Sequence, residues 1–388
     1  MPTICRSWQY SKFYAQPSYQ ESLQKAESQN NERVEAATKI LSEIDSKKTL
    51  QLYNSLLQKE RVDLAIVVIT TERKYKGKSL QYLLQTVTEV HQQLQQSKDL
   101  NTTTFQICDV QRGLNADAEK LSKYFPVIKR FRDSRSSKMS SLEMASLYVK
   151  ETRDYAFCLS KASQGSVRYV LMLEDDAVPR KNMINILKDI LTYKVNKRNS
   201  VKDNWFYINL FHPRRWKGYS KDIDDNGILL RRGIFLAIVE ITSLSLLISI
   251  LLFAILSKIM NQITRKYYLE IFLSSFVYVA VLLFTIGRAH IIELFSFHPA
   301  LYKVFSPALG CCTPAVLFSQ KHTHRFVGHL SDLVENRTGM EPIDILMARY
   351  AEANGLRTYG VEPNLVKHIG MVSSVKSRTR FFPTYFID

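Results

Sequence analysis

RYVLMLEDDAVP, residues Arg168–Pro179, is an apolar run that breaks off in three consecutive carboxylates, Glu174-Asp175-Asp176. An unbroken apolar run of this length suits a strand buried on both faces of a parallel sheet. Such a strand delivers its C-terminal end to the ligand crevice of an α/β fold. Three acids there repel one another, so something must neutralise them. A divalent cation with hard oxygen ligands would do so, and the acid-x-acid spacing lets Glu174 and Asp176 reach one side of an extended chain. The same cation would neutralise a nucleotide-sugar diphosphate and stabilise the leaving group. The plain alternative is a solvated acidic loop after a strand.

Outward from this strand, the pattern repeats on both sides. Leu64–Thr71 (LAIVVITT) and Thr104–Val110 (TFQICDV) read as strands, as do Trp205–Leu210 and Pro314–Gln320. Helical periodicity lies between them at Leu80–Leu94, at a stretch from Leu142 and Met144 running towards Ala162, at Met183–Tyr193, and at Pro342–Gly355. Alternating strands and helices predict an α/β fold with a mostly parallel sheet. Residues 1–60 are polar, and a stripe of Ala36, Ile40, Leu41, Ile44 and Leu50 predicts helix. The start, MPTICRSWQYSKFY, has no apolar core of a signal peptide.

Two segments interrupt the alternation. Ile234–Leu256 holds one charge, Glu240, and Leu269–Gly287 holds one, Glu270. A helix of roughly 20 apolar residues spans the ~30 Å hydrocarbon layer. Two such segments a short distance apart predict a transmembrane helical hairpin, with a pair of buried soluble helices as the competing reading. Glu240 would reach the interface or pair within the hairpin. Lys258, Arg265 and Lys266 in the connection favour a cytosolic loop, although Arg231, Arg232 and Arg288 lie at the opposite ends. The expected organisation is a polar helical segment (1–60), a first part of the catalytic domain (61–233), the hairpin (234–287) and a second part (288–388).

The formal net charge is +17, but no run of five Lys/Arg and no zinc-finger or helix-turn-helix pattern accompanies it. We therefore expect no nucleic acid; an anionic membrane surface or a diphosphate substrate accounts for the charge. None of the five cysteines forms a C-x-x-C pair, which argues against structural zinc. The adjacent Cys311 and Cys312 predict either a strained vicinal disulfide or two buried thiols. Sequons at Asn101 and Asn336 suit a lumenal location.

A metal site needs a further ligand, and transfer needs a base. His368, expected after the last strand in PNLVKHIG, offers an imidazole; His322, His324 and His329 are a competing cluster. Asp344 and Glu341 begin the helix at Pro342–Gly355, where positive potential favours a carboxylate that could take a proton. Ordinary helix-start acidity is the alternative.

The order LEDDAVP, membrane hairpin, GCCTPAVLFSQ, PIDILM and VEPNLVKHIG resembles the Golgi post-GPI-attachment N-acetylgalactosaminyltransferase family over roughly residues 60–380. That family is similar to GT-A glycosyltransferases whose domain a transmembrane hairpin splits. PID and EPNLVKHIG are also similar to the branching N-acetylglucosaminyltransferase IV family, which lacks the hairpin. The resemblance implies a UDP-GalNAc donor, Mn²⁺, inversion at the anomeric carbon, and the first mannose of GPI glycans on GPI-anchored proteins as acceptor. It also implies a multi-pass Golgi membrane protein with a lumenal catalytic domain. By motif match, Asp176, Glu174 and His368 fall on the metal, and Glu174 and Asp175 on the diphosphate. Thr313 and Pro314 fall on a donor-sugar loop, Val68, Ile69, Thr70 and Thr71 on the uridine site, and Asp344 on the base, with Glu341 its competitor. The family carries an N-terminal membrane anchor that this sequence does not show. The expectation is thus either a shortened start or insertion by the hairpin alone. Two other readings stand beside it: a different membrane glycosyltransferase, such as a GlcNAc transferase on N-glycans, and a non-catalytic membrane binding protein with a transferase-like fold.

Overall fold

The computed structural model describes residues 17–97, 100–131, 147–195, 204–213, 228–259, 267–308, 312–336 and 341–372, with Ser11, Tyr14 and Ala15. Leu142, Met144, Cys5, Cys311, Arg265 and Lys266 lie outside the described residues. The chain forms two compact units, one of residues 19–212 with 302–388, the other of residues 1–18 with 213–301.

The first unit opens with two helices, α1 (Tyr19–Glu43) and α2 (Ser46–Leu57), the latter capped by the Asp45 side chain on the Lys48 amide at 3.1 Å. Their buried face runs through Ala26, Ala37, Leu41, Tyr53 and Leu56. The expected stripe is therefore corrected: Ala36 is exposed and Leu50 only half-buried. Then follow β1 (Arg61–Thr70), the short β2 (Lys74–Tyr75) and β3 (Lys78–Ser79), α3 (Tyr82–Gln96), β4 (Thr103–Asp109), α4 (Ala116–Leu121), β5 (Val127–Lys129), α5 (Leu147–Ala162), β6 (Ser166–Glu174), β7 (Ala177–Pro179), α6 (Met183–Asp189) and β8 (Trp205–Asn209).

After β8 the chain enters the second unit, which carries α7 (Ile228–Ile259), α8 (Tyr268–Ile286) and the short α9 (Arg288–Glu293). It returns to the first unit as β9 (Lys303–Phe305), β10 (Ala315–Ser319), α10 (Gln320–Glu335), α11 (Ile343–Ala353), β11 (Arg357–Glu362) and β12 (Val366–His368).

The eight-stranded sheet has the order β5-β4-β1-β6-β10-β8-β11-β9. β5, β4, β1 and β6 are parallel neighbours, and β8 and β11 run parallel to each other; β10 and β9 are reversed. The strand that follows the excursion, β10, lies between β6 and β8, both of which precede it. The two halves of the sequence thus share one sheet. β6 alternates in the expected period of two: Tyr169, Leu171 and Leu173 join the core under α2 and α3, while Val170 and Met172 join the core under α5, α10 and α11. Burial on both faces is what makes its sequence read as a continuous apolar run.

A disulfide between Cys108 on β4 and Cys158 on α5, with Cα atoms 5.9 Å apart, ties a helix to the sheet it covers. Cys312 is also disulfide-bonded, which excludes the free-thiol reading for that residue.

In the second unit, α7 and α8 contain apolar stretches of 21 and 19 residues, Ile238–Lys258 and Tyr268–Ile286, each long enough to cross a bilayer and only 11% buried. A buried soluble pair would hide these residues; instead Leu247, Leu251, Ile255, Leu273 and Val277 are exposed. Glu240 pairs with Arg288, the first residue of α9 just past the hairpin rather than within it, through Nε at 2.9 Å and Nη2 at 3.3 Å.

Candidate active site

β6 ends at Glu174, and β1 beside it ends at Thr70. The carboxylates therefore emerge at the C-terminal edge of the parallel strands, while the reversed β10 brings its beginning to the same edge. The Glu174 amide donates to the Pro314 carbonyl at 2.9 Å, and Thr313 Oγ1 donates to Glu174 Oε1 at 2.7 Å. The 313–314 loop, separated from Glu174 by the whole excursion, is thus held against it.

Asp175 and Asp176 lie in the turn between β6 and β7. Thr70 Oγ1 donates to Asp175 Oδ2 at 2.9 Å, and the Thr71 amide donates to the same oxygen at 3.4 Å. Thr86 Oγ1 on α3 donates to the Asp175 carbonyl at 2.7 Å. Thr71 Oγ1 turns instead to Gln111 Oε1 at 3.1 Å. The other two residues expected at a uridine site have apolar core surroundings: Val68 is fully buried under α2 and α3, and Ile69 packs on the opposite core.

His368 is placed by a feature that its sequence position did not show. It is not beyond the last strand but in β12, which pairs antiparallel with β7 and sets His368 opposite Ala177. The Ile369 amide donates to the Asp176 carbonyl at 2.8 Å, and His368 Nε2 lies 3.2 Å from Asp176 Oδ2. Gly370 completes the clip. A Cβ there would collide with the Asp176 carboxylate, so only glycine fits without moving it.

Glu174, Asp176 and His368 each offer a ligand atom within 4.8 Å of the others. Asp176 is fully buried, and its Oδ1 has no hydrogen-bond partner among the described residues. A buried, unpaired carboxylate oxygen is costly unless a cation meets it, and two carboxylates with an imidazole suit a divalent ion such as Mn²⁺ or Mg²⁺. The residues fit the expected metal. The second histidine group does not assemble: His322, His324 and His329 form no three-residue ligand cluster among the described residues.

Arg73, just beyond β1, is the residue that the sequence reading missed. Its guanidinium pairs with Asp175 Oδ1 at 2.9 Å, with Asp176 Oδ2, and with Glu174 Oε2 at 3.8 Å; its side chain is 9% exposed. A single arginine in a loop has no local signature, and the 100 residues between it and the acids hide the contact. Burial raises the pKa of Asp175 to about 7, against the opposing pull of Arg73. Burial also acts to raise Asp176, but Arg73 and His368 hold it below the carboxylate range. Glu174 is raised, by burial and then by Asp176. Burial disfavours protonated His368, yet Asp176 beside it shifts the balance upward.

Asp344 occupies the first turn of α11, and both its oxygens accept backbone amides, from Cys312 at 3.0 Å and from Ile345 at 2.9 Å. It is brought to the residue that precedes Thr313. Glu341 is turned away into a pair with Arg349 at 2.5 Å. Glu151 on α5, also missed, is pushed up to about 8 by burial and then by the charges of Glu174 and Asp344. These two carboxylates therefore act on a common neighbour, on the face of the sheet that α5 and α11 cover.

A mixed sheet with an acidic cluster at the ends of its parallel strands, and two helices able to span a membrane, define an α/β protein with a candidate metal site and membrane-length helices. The chain matches the GPI-N-acetylgalactosamine transferase PGAP4 family over residues 64–367 and belongs to it, which makes its class a glycosyltransferase. Membership implies a nucleotide-sugar donor and GPI-anchored acceptors.

Proposed function

We propose that this protein transfers GalNAc from UDP-GalNAc to the first mannose of GPI glycans on GPI-anchored proteins, with inversion and with Mn²⁺, in the Golgi lumen. The observation that carries this reading is the Glu174–Asp176–His368 triad at the sheet edge of a chain matching that family. The disulfide chemistry of Cys108, Cys158 and Cys312 suits an oxidising compartment.

Asp176, Glu174 and His368 would hold the cation, whose charge would offset that of the departing diphosphate. Thr70 and Thr71 orient Asp175 at the nucleotide end of the site, and Thr313 orients Glu174. Asp344, with its carboxylate oriented by two amides, takes the proton of the acceptor hydroxyl as that oxygen attacks the anomeric carbon. The bond to UDP breaks on the opposite face, so one displacement inverts the configuration. Glu341 is the alternative base.

The test is a transfer assay on purified, detergent-solubilised protein with a panel of UDP-sugars, with and without Mn²⁺. UDP-GalNAc should be used in preference to the other sugars, and Asp176→Asn should abolish Mn²⁺-dependent donor binding. Preference for UDP-GlcNAc with an N-glycan acceptor would replace this reading by the branching-transferase one. Absence of donor turnover under every condition would favour a binding protein.

A further inference from the structure

The metal cluster already contains a fixed cation. Arg73 reaches Asp175, Asp176 and Glu174 at once, and its Nη1 also donates to the Val372 carbonyl at 3.2 Å. The Tyr82 ring lies 5.9 Å from its guanidinium carbon. Its backbone is tied down as well, because the Leu80 amide donates to the Arg73 carbonyl at 3.1 Å across the base of the β2–β3 hairpin. This is a built position rather than a surface arginine that happens to fall near acids.

The division of oxygens is selective. Arg73 and His368 both engage Oδ2 of Asp176, leaving Oδ1 buried and unpartnered. One guanidinium cannot match the formal charge of three carboxylates, but one guanidinium together with one divalent cation does. We infer that Arg73 is the internal counter-cation of this site: it balances part of the carboxylate charge before metal arrives, limits the site to one divalent ion, and sets a weaker, exchangeable affinity for it. The inference rests on the metal-dependent reading above. Two positive charges close together in a poorly solvated pocket repel by kilocalories, so the arginine works against metal binding.

The sign of this effect separates it from a merely structural role. Loss of a purely structural arginine would let the ligands scatter and weaken metal binding. Loss of a counter-cation would tighten it. Mn²⁺ binding should be measured by calorimetry and by electron paramagnetic resonance on full-length detergent-solubilised protein, in parallel with thermal melting. The wild type should bind one Mn²⁺ at this site. Arg73→Gln should bind Mn²⁺ at least about tenfold more tightly, melt lower than wild type without metal, and recover most of that loss when Mn²⁺ is added. Arg73→Lys keeps the charge without the fork, and should hold Mn²⁺ affinity within about threefold of wild type while melting lower. A folded Arg73→Gln protein that binds Mn²⁺ equally or more weakly overturns the inference. If Arg73→Gln folds only in the presence of Mn²⁺, its apparent affinity includes the cost of folding. In that case, or if it folds under neither condition, Arg73→Lys decides: loss of Mn²⁺ binding there would make the role structural. Absence of Mn²⁺ binding in the wild type itself would remove the metal reading, and this inference with it.

Discussion

Asp344 is a carboxylate held by two amides beside the loop that orients Glu174. As the proposed base, it should be replaceable in shape but not in chemistry. Asp344→Asn should lower turnover by at least about a hundredfold with donor affinity nearly unchanged, since general-base assistance contributes ~10²–10⁴-fold. Glu341→Gln should cost far less, because its partner is Arg349 on an exposed stretch of α11. Steady-state kinetics on both variants, with donor binding measured separately, checks this; the reverse ranking would move the base to Glu341. A second residue-scale prediction concerns His91, whose Nδ1 meets the Tyr53 hydroxyl at 2.9 Å between α3 and α2. Burial lowers its pKa to about 4. A base depressed in the folded state stabilises above its unfolded value, near 6.5, and loses that stabilisation as pH falls towards 4. The melting temperature should therefore drop across that window, by an amount equivalent to up to about 3 kcal/mol. His91→Phe should flatten the acid limb of the melting profile; an unchanged limb would assign it to other groups. At this scale Glu174, Asp176 and His368 were legible, because an apolar strand ending in acids and a histidine in a short C-terminal motif carry local signals. Arg73, Glu151 and Gly370 were not, because each matters only through what it meets across the fold.

The strands and helices themselves were mostly legible from periodicity. β1, β4, β6, β8 and β10 lie within a few residues of the apolar runs that predict them, and α3 and α11 within two. The exceptions are instructive. β12 escapes any period-based reading because three residues make no pattern, yet it is the element that clips His368 onto Asp176. The pairing of Cys108 with Cys158 was equally invisible, since 50 residues separate them and only the packing of α5 on the sheet brings them together. In the chain-entropy picture, closing a loop of that length stabilises by about 4 kcal/mol. Replacing both cysteines by serine should lower the melting temperature of the solubilised protein, and mass spectrometry should find the two thiols linked in the wild type. Unlinked thiols together with unchanged melting would refute the pairing.

On the scale of the whole molecule, the decisive fact is that residues 19–212 and 302–388 form one compact unit. Asn101 and Asn336 both belong to it, so they must lie on the same side of any membrane that α7 and α8 cross. Glycan mapping, or labelling of single cysteines placed at these two positions in sealed microsomes, should report both as lumenal and Lys258 as cytosolic. Finding Asn101 and Asn336 on opposite sides would break the sheet apart and with it the site. The amino-acid sequence by itself determined the α/β class, the two membrane-length helices and the acidic cluster, because periodicity, segment length and composition are properties of neighbouring residues. Only the tertiary structure decided that β10 slots between β6 and β8, that His368 faces Asp176, and that Arg73 sits among the three carboxylates. Those contacts join residues roughly a hundred or more positions apart, and such distances are closed by burial of the shared sheet rather than by any pattern along the chain.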